Sequence, residues 1–283
     1  MTPSDDIAIL LASAVAGLIG ALAGVGGGIL VIPALTIGFG VDIGGSGIKG
    51  APVDLAAGRF AAERRRVPTP QPSTPEAVVE EVAGIVEAFG EAAGDRPIGV
   101  TFPAVIQHGV ARTAANVDHS WIGTDVDALL TTRLRRQVHV VNDADAAGLA
   151  EARFGAAKDV MGVVIVTTLG TGIGSALLVD GVLVPNTELG HIEVGGKDAE
   201  TRAADSVREA DDLSWADWAR RLQRYYTALE NLFWPDLFVV GGGVSKKSDR
   251  FLPLLALRTP IVPAALRNEA GIIGAAIVAA ELG

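Results

Sequence analysis

Cysteine is missing from all 283 residues, which excludes disulfides and thiolate-bound zinc. Histidine is scarce: His108, His119, His139 and His191 are the whole set, too few and too scattered for a multi-histidine metal site. Positive charge is also short. With 23 Lys and Arg against 33 Asp and Glu, the net charge is −10 and the pI near 4.9. A protein that grips nucleic acid across its surface needs a basic field, so nucleic acid is not an expected partner, and an anionic substrate must be held by a local cluster of donors. The chain is rich instead in apolar residues, 49% of the total, enough for the core of one large or two medium domains.

Charge is absent altogether from Ile7 through Val41. A spanning helix needs about 20 apolar residues, so the stretch 7–35 is long enough to cross a bilayer. It lacks the basic start of a secretory signal, because Met1 to Asp6 carries two aspartates and neither Lys nor Arg. Gly20, Gly24 and Gly28 would form a small-residue stripe suited to helix packing in lipid, and Lys49, Arg59 and Arg64 to Arg66 favour a cytoplasmic side for the C-terminal residues. GVGGGILVIPAL, Gly24 to Leu35, resembles the first-helix motif of the TauE/SafE anion exporters. The expectation is an apolar N-terminal segment over 1–37, helical, giving single-span attachment through residues 7–35. A misassigned start or a fusion stands beside it, and membrane association stays open.

After Gly38 the pattern changes to short apolar runs divided by turns. Phe39 to Ile43 reads as a strand, Gly44 to Gly47 as a tight turn, Ile48 to Asp54 as a returning antiparallel strand and Phe60 to Val67 as a third. Thr74 caps a helix from Pro75 to Phe89, with Val78, Val82, Ile85, Val86 and Phe89 at helical spacing. Strand Ile98 to Phe102, helix Asp125 to Arg136, strand Val138 to Val141 and a helix from Asp143 to Phe154 come next. The second half repeats the opening: strand Met161 to Leu169, turn Gly170 to Gly174, strand Ser175 to Val179 and a third piece over Val182 to Pro185. A helix near Trp215 to Trp234, a strand Leu237 to Val240 and a closing helix Gly271 to Glu281 complete it. Both halves open with strand, glycine-rich turn, strand, so the α/β pattern reads as a duplicated architecture.

Three glycine clusters sit at strand ends. In the first, Gly44, Gly45, Ser46 and Gly47 would bring backbone N–H groups to an anion, Lys49 would add a point charge, and Asp42 would hold magnesium or its waters. No GK[ST] comes after it, so this is not a Walker loop. Thr168, Gly170, Thr171 and Gly172 supply a second turn, and Gly241, Gly242 and Gly243 a third. Each alone could be a hairpin with incidental glycines; three in two similar halves suit a cleft for a phosphate chain. Asn142 and Asp143 end one strand and begin a helix, so Asp143 is either an N-cap or a general base aimed into that cleft. Glu188, His191 and Glu193 crowd between glycines in NTELGHIEVGG, a polar density suited to a polyol.

Taken together, VDIGGSGIKG, VNDADAAGLAEARFG, TTLGTGIGSA, PNTELGHIEVGGKDAE and PDLFVVGGGVS resemble the ROK sugar-kinase family, and within it the polyphosphate-using glucokinases, from about Gly38 to the C-terminus. The resemblance implies the actin/hexokinase-like (ribonuclease H-like) α/β fold, with lobes at 38–142 and 143–283 around an active-site cleft. It implies a cytoplasmic kinase domain, a homodimer, and phosphorylation of glucose to glucose 6-phosphate from polyphosphate and ATP with Mg2+. Asp143 would be the catalytic base, with Asn116, Asn142, Glu188, His191 and Glu200 holding the sugar beside it. The family's cysteine-rich zinc loop is replaced here by GGKDAE, so no zinc is expected. A polyphosphate donor calls for a longer basic track, for which Arg64, Arg65, Arg66, Arg112, Lys246 and Lys247 are candidates. The alternative is a glucose-binding regulator of the same family without turnover, disfavoured because no helix-turn-helix precedes the core and both Asp42 and Asp143 are present.

Overall fold

Strand β1 (Ile37–Gly44) shows how the first half is built, because its alternating residues face two different layers. Phe39, Val41 and Ile43 are fully buried against Val78, Val82 and Ile85 of helix α1 (Pro75–Phe89), which Thr74 caps through its hydroxyl. The opposite face carries Gly38, Gly40 and Asp42. A Cβ on Gly40 would overlap the carbonyl oxygen of Ile272, and one on Gly99 that of Ala275. These two glycines let the C-terminal helix α7 (Ala270–Leu282) lie with its backbone against the sheet. The structure is a computed structural model describing residues 37–114 and 117–283. The apolar stretch read as a membrane helix, and Asn116, lie outside the described residues.

The first sheet runs β3-β2-β1-β5-β8, with β2 (Gly47–Asp54) antiparallel to β1, and β5 (Ile98–Phe102) and β8 (Val138–Asn142) parallel. The single strand expected over Phe60 to Val67 is two, β3 (Arg59–Phe60) and β4 (Arg65–Val67), both paired with β2. The interruption lies across from Pro52, which has no N–H to offer the ladder and whose carbonyl accepts from Ala61 N at 2.8 Å. A small hairpin, β6 (Ile106–Gln107) and β7 (Val110–Ala111), and helix α2 (Val126–Leu134) complete this half.

The second sheet repeats the scheme, β11-β10-β9-β12-β13. Here β10 (Ile173–Val179) is antiparallel to β9 (Val163–Leu169), and β12 (Leu237–Gly241) and β13 (Ile261–Pro263) continue parallel; β11 is Val182–Val184. One face is covered by helix α6 (Trp215–Phe233), whose Trp218, Leu222, Tyr226 and Leu229 pack with Ile165, Phe238 and Val240; the short helices α4 (Glu200–Ala203) and α5 (Asp205–Ala210) lie just upstream in the chain. The other face carries α3 (Asp143–Phe154), which also packs along α7. Helix α7, last in the chain, covers the first sheet while α3 covers the second, so the two helices form the layer between the sheets. Among the described residues no helix is long and apolar enough to cross a membrane.

Candidate active site

The strands β1, β5, β8 and β9 all deliver their carboxyl ends to one cleft of ≈ 750 Å³, the place where open α/β sheets present loops and helix starts to ligands. From the first half come Gly44, Gly45 and Ser46, the segment Pro103 to Val105, Asn142 and Asp143. From the second come Thr168 through Ser175, Glu188, His191, Glu200 and Gly242.

Asp143 stands at the first position of α3, at the boundary between the sheets. Its carboxyl is pushed up to about 6, by burial first, then by the negative charge of Asp42; the Ala144 N–H at 2.9 Å works against the shift, and Glu188 adds to it. A carboxylate in that range is poised to take a proton near neutrality. Asn142 is next to it but its polar atoms are engaged. Oδ1 caps α3 by accepting from Ala144 N (2.9 Å) and Asp145 N (3.1 Å), and Nδ2 donates to Ala104 O (3.0 Å). It fixes the helix start that aims Asp143.

At the second-half wall of the cleft, His191 Nδ1 meets Asp198 Oδ2 at 2.8 Å, and its Nε2 is 4.0 Å from Glu188 Oε2. The Asp198 bond, first among the causes, raises the imidazole above its ordinary range. Glu188 at the rim is raised by partial burial, opposed by His191 and reinforced by Glu200. Glu200 itself accepts from Ile173 N at 2.7 Å and sits where a side chain on Gly172 would have to go. Asp198, which orients His191, escaped the sequence reading although it lies inside the GGKDAE loop; its spacing from His191 had no meaning until the loop closed.

Of the phosphate candidates, Gly44, Gly45, Ser46, Thr168, Gly170, Thr171, Gly172 and Gly242 line the cleft. Gly242 has φ 82° and packs on the backbone of Leu169 at the end of β9. Gly241 is buried within β12, Gly243 opens the next helical segment, and Gly47 begins β2 under the side chain of Arg66. Lys49 turns from the turn to Asp42, Nζ to Oδ2 at 3.0 Å, and Thr101 Oγ1 donates to Asp42 Oδ1 at 2.8 Å. Among the described residues no group of three or more His, Asp or Glu could enclose a metal ion.

Two glycine turns facing one strand-end aspartate give the cleft the form of a phosphoryl-transfer site, and the known proteins that the chain resembles include sugar kinases. The ROK family pattern matches residues 38–202. The chain belongs to the ROK family. It is 55% identical over 241 residues to the polyphosphate glucokinase of Mycobacterium tuberculosis (strain H37Rv), covering 85% of this chain and 90% of that one. The inorganic polyphosphate/ATP-glucomannokinase of Arthrobacter sp. strain KM superposes with a TM-score of 0.84 at 60% identity, covering 88% of this chain and all of the other. A ROK family glucokinase from Streptomyces griseus, solved with glucose and AMPPNP, gives 0.75 at 25% identity, over 87% and 100%. The ROK fold is the actin/hexokinase-like α/β architecture, as the duplicated sheets indicate.

Proposed function

We propose that this chain phosphorylates glucose to glucose 6-phosphate, taking the phosphoryl group from inorganic polyphosphate and from ATP. One observation carries the reading: Asp143 lies between the glycine turns of both sheets with its carboxyl held near 6. The M. tuberculosis and Arthrobacter relatives support the donor and the sugar.

The sugar 6-hydroxyl would lie against Asp143, with Glu188, His191 and Glu200 accepting and donating to its neighbouring hydroxyls, and Asn116 as a further sugar contact. As the hydroxyl oxygen attacks the terminal phosphorus, its proton passes to Asp143, the bond to the bridging oxygen breaks, and the donor leaves one phosphate shorter. Backbone N–H groups of Gly45, Ser46 and Thr171 would meet the phosphate oxygens where negative charge accumulates, while the Gly170 N–H closes its own turn on the carbonyl of Gly172 at 3.0 Å. Magnesium suits the site. Asp42 uses one bond from Thr101 and one from Lys49, leaving acceptor capacity, and this ion is held by one or two carboxylates together with phosphate oxygens. When bound, the ion would neutralise phosphate charge. A division at residue 143 into two lobes and a homodimer belong to the same reading.

The test is glucose 6-phosphate formation with magnesium, polyphosphate and ATP supplied separately, for the parent and Asp143→Asn. Turnover that collapses in the variant is expected. Glucose binding without turnover from either donor would replace the kinase with a sugar-binding regulator.

A further inference from the structure

Arg64, Arg65 and Arg66 look interchangeable in the sequence, but the fold separates them. Arg66 stands directly opposite Lys49 in the β2–β4 pair, and residues so placed share a face of the sheet. That is the face on which Lys49 reaches Asp42. Arg66 Nη2 donates to the carbonyl of Ser46 at 3.2 Å, and its guanidinium covers Gly47, so its charge sits on the rim of the first glycine turn. Arg65 stands opposite Gly50 and turns to the other side, its guanidinium 5.7 Å from the centre of the Phe89 ring on α1. Arg64, just before β4, turns toward the start of α7, and its Nη1 reaches the carbonyl of Asn268 at 3.4 Å.

That contact carries the rim across to the second half. Residues 267–269 pack against the helical segment Gly243–Arg250, which comes after Gly242 of the cleft wall and holds exposed Lys246. Lys247 beside it is turned over Trp215 at 5.8 Å. Among the described residues, Arg64 and Arg66 bond only main-chain carbonyls, each keeping N–H donors free. On a chain of net charge −10, a strip of uncompensated cations is where a polyanion can approach.

We infer that Arg64, Arg66 and Lys246 form a cationic strip leading out of the cleft, which holds the phosphates of a polyphosphate donor beyond the one transferred, while Arg65 is a packing residue. The inference rests on the proposed polyphosphate donor and adds where the rest of that donor lies. A strip outside the reacting centre gains contacts as the chain lengthens, so its signature is affinity that depends on chain length.

The experiment measures binding in the Asp143→Asn protein, which holds donor without consuming it, using tripolyphosphate and a long polyphosphate chain over a range of salt. Adding Arg64→Gln and Arg66→Gln together should weaken the long chain by about tenfold and tripolyphosphate by less than about twofold. The slope of log affinity against log salt should fall by about two, one for each cation removed. Arg65→Gln should leave the preference for long chains unchanged. Equal weakening of both lengths, or equal effects from Arg65→Gln and the double variant, would overturn the strip. Absence of glucose 6-phosphate from polyphosphate in the parent would instead remove the donor reading, which the binding measurement reports separately.

Discussion

If Asp143 is the base, the reaction must lose rate where that carboxyl takes up its proton. A group at about 6 is roughly 91% ionised at pH 7 and roughly 9% at pH 5, so kcat/KM for glucose should fall about tenfold between them, approaching a further tenfold per pH unit below that. A terminal phosphate of the donor also titrates near 6, so a limb at that position is ambiguous by itself. Asp42→Asn resolves it. The Asp42 charge is the second cause of the Asp143 shift, and like charge disfavours ionisation; removing it lets Asp143 ionise at lower pH. Lys49, freed from its 3.0 Å pair with Asp42, pushes in the same direction. The limb should therefore move acidward in Asp42→Asn whatever happens to the maximal rate, while a donor titration would stay where it is. Initial rates of glucose 6-phosphate formation at constant ionic strength, pH 5 to 8, are the assay. A limb that does not move in the variant refutes the assignment of the titrating group to Asp143.

Asp145 gives a stability counterpart. It is 1% exposed, accepts from Asn186 N at 2.8 Å, and is pushed up to about 7 by burial, with Glu188 and Asp143 adding. Its folded value lies above the ordinary 3.8, so the folded state binds the proton more tightly. The stabilisation is complete below about 4 and is lost as pH rises through 7. Urea unfolding of Asp145→Asn against the parent should show the difference moving in the variant's favour by up to about 4 kcal/mol between pH 4 and 8, and parallel curves would contradict this. Glu151 is fully buried and accepts from Ala156 N (2.7 Å), Ala265 N (3.1 Å) and Leu266 N (2.7 Å), tying α3 to the approach to α7. Glu151→Ala strands three N–H groups and should cost about 3 kcal/mol or more, with Glu151→Gln in between; a loss under about 1 kcal/mol would show that the bridge does not hold these elements.

The stretch Asn142, Asp143, Ala144, Asp145 shows what a sequence discloses and where it stops. That a helix starts there was legible, because a short polar residue between an apolar strand and a helical run is a capping signal, but the cap read at Asp143 is one residue earlier, at Asn142. The glycine turns were legible too, since glycine at a strand end is a local choice. The roles of the polar residues were not. Successive residues turn about 100° around a helix, so Asp143 and Asp145 point about 200° apart. One opens to the cleft, and the other is shut against Asn186, whose side chain in turn bonds Ile106 N and O in the other half. Which face is cleft is decided by the second sheet, and that sheet is assembled from strands that begin only at Val163. The same dependence hid the pairing of Lys49 with Asp42 and the split of the arginine run: each needed a neighbour supplied by another strand. Local spacing therefore locates the polar groups of the cleft to within a few residues, while the choice among adjacent carboxylates or adjacent arginines belongs to the packing of the two sheets. Exchanging the positions, with Asp143→Ala and Ala144→Asp, should accordingly fail to restore turnover, since it keeps the local composition and moves the carboxylate about 100° out of the cleft; recovery of more than about a tenth of parent kcat would show that composition at the helix start is sufficient.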